Sequence, residues 1–206
     1  MQGARCASMC QGRALCRESA EICARFVQKG FTKQNKCAIM SAESEVDPMQ
    51  ERTVCFTGHR QIDRAHMLAL PALLKAEIAK QAEAGVVHFR AGGAVGFDTL
   101  AALCVLEQKK LYPHIKLDLI LPCRDQDAAF GEGDRQAYRF VLASADSVSY
   151  VFDRYCEGCM LERDRRLVQG SDVCIAFLTK NKGGTAYTAA YALKNGLDFV
   201  NLFDLV

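Results

Sequence analysis

Short apolar runs alternate with longer segments rich in helix-forming residues from residue 53 to the end of the chain. Each run has the length and the β-branched or aromatic content of a strand, and the longer segments have helical character. The pattern predicts strands over residues 53–58, 86–89, 116–122, 147–152, 172–178 and 198–203, and helices over residues 65–84, 97–110, 134–143, 157–169 and 184–195. Because such alternation builds βαβ units, we predict a three-layer α/β/α Rossmann-like domain with a mostly parallel sheet over residues 52–206.

Residues 1–51 precede this pattern and differ from it in composition. Residues 1–48 hold seven basic and five acidic residues, whereas the rest of the chain holds 19 of each. Five of the eleven cysteines lie among the first 37 residues, and none of their spacings is the two-residue gap typical of zinc ligands. We expect residues 1–51 to form a poorly ordered extension, with Met40 and Met49 as alternative native starts.

The composition of the whole chain suits a folded globule. Half of the 206 residues are apolar, 24% are charged, and the net charge is +2. No run approaches 18 apolar residues and no secretory signal is evident, so we expect a cytoplasmic protein without a membrane partner. A neutral body without aromatic residues among its basic ones argues against nucleic acid as a partner. The oligomeric state stays open, and a homo-oligomer is one alternative.

Glycine and arginine residues concentrate in the segments that follow the predicted strands. These segments are TGHR (57–60), RAGGAVGFD (90–98), CRDQD (123–127) and KNKGGT (180–185), whereas the segments after the helices are ordinary turns. The carboxyl ends of parallel strands meet at one edge of a sheet, where open α/β proteins bind their ligands. The distribution therefore predicts an anionic small molecule at this edge.

The segment GGAVGFD is the sharpest local feature of the chain. Gly92, Gly93 and Gly96 would let the backbone approach a ligand, and the following helix supplies a positive N-terminus for a phosphate. Asp98 suits either a ribose hydroxyl or the first turn of that helix. The spacing differs from the G-x-G-x-x-G of dinucleotide-binding proteins, so both phosphate binding and a tight structural turn remain open.

The GGT turn at residues 183–185 repeats this arrangement after the fifth predicted strand. Gly183 and Gly184 free the backbone, while the Thr185 hydroxyl either caps the helix or binds a phosphate oxygen. Two such turns at the same sheet edge favour anion binding more strongly than either turn alone.

Two arginines and one histidine complete the candidate site. Arg60 and Arg124 are candidate phosphate ligands, because a guanidinium binds an oxyanion through two hydrogen bonds. His59 has the chemistry of a ligand donor or an acid–base group. No carboxylate partner for it is evident in the sequence, so we favour a role in fixing the turn.

Cys156 and Cys159 form a C-x-x-C motif near a predicted strand–helix junction. A zinc site needs four ligands, and residues 49–206 contain no second such pair. A thioredoxin-type motif also opens a helix after a strand, but we favour neither redox nor metal chemistry here. The chain contains no G-x-S-x-G, Walker A or H-E-x-x-H motif, and we predict no metal and no cofactor.

Six motifs occur in order from about Val54 to the C-terminus: TGHR, GGAVGFDTLAA, LPCRDQD, RYCEGCM, RDRRLV and GGTAYTAAYA. As a set they resemble the YpsA-like branch of the SLOG superfamily, which also contains the LOG (Lonely Guy) phosphoribohydrolases and the DNA-processing protein DprA. The resemblance implies a Rossmann-like fold and a nucleotide or nucleotide-derived ligand, such as ADP-ribose. It assigns ligand contacts to Gly58, His59, Arg60, Gly92, Gly93, Gly96, Asp98, Arg124, Gly183, Gly184 and Thr185.

The resemblance implies binding or sensing more firmly than any reaction. LOG enzymes carry a glutamate just after their glycine-rich turn, whereas Thr185 is followed here by the carboxylate-free stretch 186–190. One alternative is a nucleotide hydrolase that cleaves the N-glycosidic bond with Asp98 or His59 in place of that glutamate. A second alternative is single-stranded DNA binding by analogy with DprA.

Overall fold

The computed structural model of the protein describes residues 51–205. Its strands are β1 (Arg52–Gly58), β2 (Val86–Ala91), β3 (Lys116–Leu121), β4 (Ser147–Tyr150), β5 (Val173–Phe177) and β6 (Asp198–Asn201). Its α-helices are α1 (Arg64–Glu83), α2 (Phe97–Gln108), α3 (Glu132–Ser144), α4 (Cys159–Val168) and α5 (Gly183–Lys194). Two short 3-10 helices, Gln126–Ala129 and Leu202–Leu205, were not predicted. Every predicted strand and α-helix is confirmed, with ends that differ by a few residues.

The six strands form one sheet in the order β4-β3-β2-β1-β5-β6. Each hydrogen-bonded pair of strands is parallel. The predicted Rossmann-like sheet is therefore confirmed. β1 and β5 are buried along almost their whole length, as expected of strands covered on both faces.

Alternate residues of β1 face two different helix layers. Val54 and Phe56 belong to the main core, which includes the buried faces of α1, α2 and α3. Cys55 belongs to a smaller core with Leu167 of α4 and Ala192 of α5. The sheet thus separates three helices from two, which is the three-layer arrangement.

The strand order reverses between β1 and β5. From β1 the chain adds β2, β3 and β4 in turn toward one edge of the sheet. It then adds β5 next to β1, and β6 beyond β5 at the opposite edge. Connections that leave two neighbouring strands in opposite directions open a crevice beyond their carboxyl ends. The segments 57–60 and 178–182 flank this crevice.

The expectations for residues 1–50, including the extension and its alternative starts, lie outside the described residues. Among residues 51–205, no helix combines the length and the apolar character that crossing a membrane requires.

Candidate functional site

Two neighbouring cavities lie at the carboxyl edge of the sheet. The first, here called the switch-point cavity, has a volume of about 310 Å³ and lies between the loops after β1 and β5. The second, here called the side cavity, has a volume of about 520 Å³. Arg60 and Met160 line both, so the two cavities adjoin each other.

Seven of the eleven site residues predicted from the sequence line the switch-point cavity. They are Gly58, His59, Arg60, Asp98, Gly183, Gly184 and Thr185. Their sequence separation is large, and the sheet topology alone brings them together. Gly92, Gly93, Gly96 and Arg124 are absent from the lining of both cavities.

The N-terminus of α5 opens on the switch-point cavity. Lys182 occupies the N-cap position, but no side chain among residues 51–205 caps the first turn of the helix with a hydrogen bond. Gly183 has φ +83°, and a Cβ built there would meet no atom within 4 Å. The partial positive charge of the helix end is therefore uncapped beside residues 183–185, which is the arrangement that binds phosphates in other proteins.

His59 ties the two flanking loops together. Its Nε2 accepts a hydrogen bond from the Thr179 N–H at 3.0 Å, so any ring proton of the neutral form lies on Nδ1. Partial burial and then the charge of Lys180 lower the pKa of His59, which favours the neutral ring. This contact joins the segments after β1 and β5, as in the turn-fixing role favoured from the sequence.

A buried cluster of three charged side chains forms the floor of the cavity. Arg163 of α4 is 5% exposed, Asp98 is 5% exposed and Asp164 is 8% exposed. The Arg163 Nη1 lies 3.4 Å from Asp98 Oδ2 and also donates to the carbonyl of Gly92. The Arg163 Nε lies 2.8 Å from Asp164 Oδ1, but this ion pair falls short of hydrogen-bond geometry, which leaves the Nε–H buried without a hydrogen-bond partner among the described residues.

Burial shifts the two carboxyl groups of this cluster toward their neutral forms. Desolvation raises the pKa of Asp98 to about 6, against the opposing charge of Arg163. Desolvation also raises the pKa of Asp164, and Arg163 again opposes the shift. The guanidinium is thus the main group that keeps two buried carboxylates ionised.

The Asp98 carboxyl should make the free energy of unfolding depend on pH. Its pKa is higher in the folded chain than in the unfolded chain, so its stabilising contribution is complete below about pH 4 and is lost as pH rises toward about 6. We expect a loss on the order of 2–3 kcal/mol across this window, since one pKa unit corresponds to about 1.4 kcal/mol. Urea unfolding at several pH values should show this slope in the wild type and a flatter one in Asp98→Asn. If the free energy of unfolding depended on pH equally in the two proteins, the raised pKa of Asp98 would be contradicted.

Two glycines of the GGAVG segment are packed against the protein's own atoms. A Cβ on Gly92 would lie 1.7 Å from Nη1 of Arg163, and a Cβ on Gly96 would lie 2.2 Å from the carbonyl oxygen of Arg60. These glycines leave room for the buried guanidinium and for the loop after β1. A ligand contact by either glycine stays a prediction.

Arg124 lies outside both cavities. Its guanidinium carbon is 4.5 Å from the centre of the Tyr150 ring, and its Nε is 3.3 Å from Asp153 Oδ1. The side chain is 64% exposed, so it is free to take other positions at low cost.

No role was assigned to Arg163 from the sequence, because it occurs in the charged run RDRR, and such runs are usually solvated. The signal that identifies it is helical spacing. Cys159, Arg163 and Leu167 are four residues apart along α4, and all three are buried. An arginine on the buried face of a helix requires partners, which Asp98 and Asp164 supply.

The side cavity was not predicted. It is lined by the aromatic residues Phe130 and Tyr155, by the carboxylates Asp125 and Asp134, and by Gln126. These residues come from the loops after β3 and β4 and from the start of α3, and only Asp125 and Gln126 among them lie in a strand-end segment that the sequence singled out, CRDQD.

A parallel sheet with this reversal of strand order defines a Rossmann-like fold, whose members bind ligands in the crevice at the reversal. The chain matches the model of the YpsA family, described as the YspA SLOG family, over residues 54–198, and therefore belongs to that family. The resemblance noted from the sequence motifs is confirmed.

The relatives are bacterial proteins of similar length. A UPF0398 protein of Brevibacillus brevis is 29% identical over 141 residues, which cover 64% of this chain and 75% of the relative. A UPF0398 protein of Halalkalibacterium halodurans is 32% identical over 105 residues, which cover 50% of this chain and 56% of the relative. The SPbeta prophage-derived protein YoqJ of Bacillus subtilis is 30% identical over 122 residues, which cover 53% of this chain and 71% of the relative.

Two solved structures of DprA share the fold. The protein from Helicobacter pylori has a TM-score of 0.52 at 20% identity, and the match covers 73% of this chain and 64% of that one. The protein from Streptococcus pneumoniae has a TM-score of 0.56 at 16% identity, and the match covers 72% of this chain and 49% of that one. The chain thus spans about half to two thirds of the DprA chains that it matches.

Proposed function

We propose that the protein binds or senses a nucleotide or nucleotide-derived ligand at the carboxyl edge of the sheet. The observation that carries the proposal is the uncapped N-terminus of α5, which faces Arg60 across the switch-point cavity. The ligand's phosphate binds there, where backbone N–H groups and a guanidinium converge on one small volume.

The charges around the cavity support an anion. Arg60 and Lys182 are exposed residues that line it, and neither makes an ion pair with a carboxylate among the described residues. Arg163 lies deeper and is paired with Asp98 and Asp164, so its charge is not available to a ligand. The positive charge available to a ligand therefore comes from Arg60, Lys182 and the helix end.

The side cavity suits the uncharged end of such a ligand. Phe130 and Tyr155 offer aromatic surface for a base, and Asp125 and Asp134 accept hydrogen bonds from hydroxyl or amino groups while repelling a phosphate. Volumes of 300–1,000 Å³ are typical of small-molecule sites, and the two cavities together provide room for a nucleoside with its phosphate.

Binding is favoured over hydrolysis of an N-glycosidic bond. Asp98 and Asp164 are the carboxylates that line the switch-point cavity, and both are buried against Arg163 rather than free to act on a ligand. Residues 186–190 add no carboxylate to the cavity.

Thermal shift and calorimetric titration with AMP, GMP, CMP, UMP, ADP-ribose, inorganic phosphate and a short single-stranded DNA test the proposal. A ligand at 100 times its Kd should stabilise the fold by about 2.7 kcal/mol. Arg60→Ala should weaken nucleotide binding by roughly 10- to 100-fold, the value of a charged hydrogen bond. Arg64→Ala, which removes an exposed arginine outside both cavities, is the matched control and should bind as the wild type does.

Two results would overturn the proposal. One is the absence of stabilisation by every nucleotide tested. The other is equal binding by Arg60→Ala and the wild type. Stabilisation by single-stranded DNA alone would instead favour the DprA-like alternative.

A further inference from the structure

The two cysteines of the C-x-x-C motif flank a β-turn at the start of α4. The Cys159 N–H donates to the Cys156 carbonyl at 3.2 Å, and Gly158 between them has φ +81° and ψ −8°. These angles define the third position of a type II turn, where glycine is needed. The Cα atoms at the two ends of such a turn are less than about 7 Å apart. Disulfides usually span Cα distances of about 4.4–6.8 Å, so the turn holds the pair within disulfide range.

The two thiols differ in access to solvent. Cys156 is exposed, whereas Cys159 is 1% exposed. An exposed thiol beside a protected one is the arrangement in which the first attacks an external disulfide and the second resolves the mixed disulfide.

A third cysteine, Cys123, also contacts Cys159 but is poorly suited to react. It follows β3 in a fully buried position, where its thiol lies close to Asp125 and Cys159. Burial and then the carboxylate of Asp125 raise the pKa of the Cys123 thiol to about 12. Because the thiolate is the nucleophile, Cys123 stays reduced while the other two cysteines react.

We propose that Cys156 and Cys159 form a redox-active dithiol that a small-molecule disulfide, such as oxidised glutathione, converts to a protein disulfide. The Cys156 thiolate attacks one sulfur of the oxidant and releases the first glutathione thiol. The Cys159 thiolate then attacks the Cys156 sulfur, forms the Cys156–Cys159 bond and releases the second thiol. The protein loses two electrons and two protons, and the oxidant is reduced to two thiols.

The dithiol borders the ligand cleft but does not depend on it. Met160, the residue after Cys159, lines both cavities, and Arg163 lies one helical turn further along α4. Thiol exchange needs no bound nucleotide, so the inference stands or fails separately from the proposed function.

Peptide mapping of the full chain tests the proposal. The native protein is incubated with oxidised glutathione, and the excess oxidant is removed. The protein is then unfolded so that buried thiols become accessible, its free thiols are alkylated, and it is cleaved with trypsin. Residues 155–163 form one tryptic peptide that contains Cys156 and Cys159 and no other cysteine, while Cys123 falls in the peptide 117–124. We expect most of peptide 155–163 to lack both alkyl groups and to have lost two hydrogens, and dithiothreitol to restore both alkylation sites. In Cys156→Ser, Cys159 should remain fully alkylated.

Several outcomes would overturn the proposal. One is a peptide 155–163 with both thiols alkylated after the oxidant. Another is glutathione left on Cys156 without resolution. A link from peptide 155–163 to peptide 117–124, or to a peptide that carries Cys6, Cys10, Cys16, Cys23 or Cys37, would assign the disulfide elsewhere.

Discussion

Replacing Arg163 with alanine should lower the free energy of unfolding by about 3–5 kcal/mol at neutral pH. The substitution leaves Asp98 and Asp164 buried without the guanidinium that pairs with both, and removes a donor to the Gly92 carbonyl. The loss should be smaller near pH 5, because the two carboxyl groups can then take up protons. Urea unfolding monitored by circular dichroism at both pH values measures the difference.

Arg166→Ala is the matched control for this substitution. Arg166 lies on the same helix, is 50% exposed and contacts only Glu162, at 3.7 Å, among the described carboxylates. Exposed ion pairs contribute about 0–1 kcal/mol, so this variant should unfold almost as the wild type does. Equal losses for the two variants would contradict a structural role for the buried cluster.

Replacing Gly96 with alanine should cost about 2–5 kcal/mol, from a positive-φ backbone conformation that residues with a Cβ rarely adopt and from overpacking. Gly96 has φ +83°, and the new Cβ would lie 2.2 Å from the carbonyl oxygen of Arg60. Backbone atoms cannot swing away as the end of a side chain can. The loop that carries Arg60 must therefore move, and nucleotide binding should weaken together with the stability.

Gly133→Ala provides the opposite expectation from the same chemical change. Gly133 lies in the first turn of α3, and a Cβ there would meet no atom within 4 Å. An alanine at an unstrained helical position stabilises by about 0.4–1 kcal/mol, mainly through the unfolded chain. A destabilised Gly133→Ala, or an unaffected Gly96→Ala, would contradict the packing described for these positions.

The fold was predictable because burial imposes a period on the sequence. Most strands of this sheet are short apolar runs between helices, and that alternation is visible without coordinates. The edge that carries the candidate site was predictable as well, because parallel strands place all their carboxyl ends on one side. The GGT turn and Arg60 were found in this way.

The roles of individual residues in the site were harder to predict. Gly92 and Gly183 are each the first glycine of a Gly-Gly pair in the sequence. Gly92 gives room to a buried guanidinium, whereas Gly183 lies beside an open cavity. Arg163 was hidden in a charged run, and its four-residue spacing from the buried Cys159 and Leu167 is the signal that distinguishes it from its exposed neighbours Arg165 and Arg166. The side cavity depends on loop conformations, for which the sequence carries no periodic signal.

Calorimetric titration of AMP and ADP-ribose into Thr185→Asp and Thr185→Asn measures whether a ligand's phosphate binds at the N-terminus of α5. Thr185 lies in the first turn of α5, which contains no acidic residue, and it lines the switch-point cavity. A carboxylate there favours the helix by about 0.3–1 kcal/mol, so Thr185→Asp should fold as stably as the wild type. The same charge about 4 Å from a bound phosphate costs about 4 kcal/mol at a protein surface.

We therefore expect Thr185→Asp to bind the tighter of the two ligands at least about tenfold more weakly than Thr185→Asn, with no loss of stability. This result would place the phosphate at the N-terminus of α5. Equal affinities for the two variants, or no binding of either ligand by the wild type, would contradict the account.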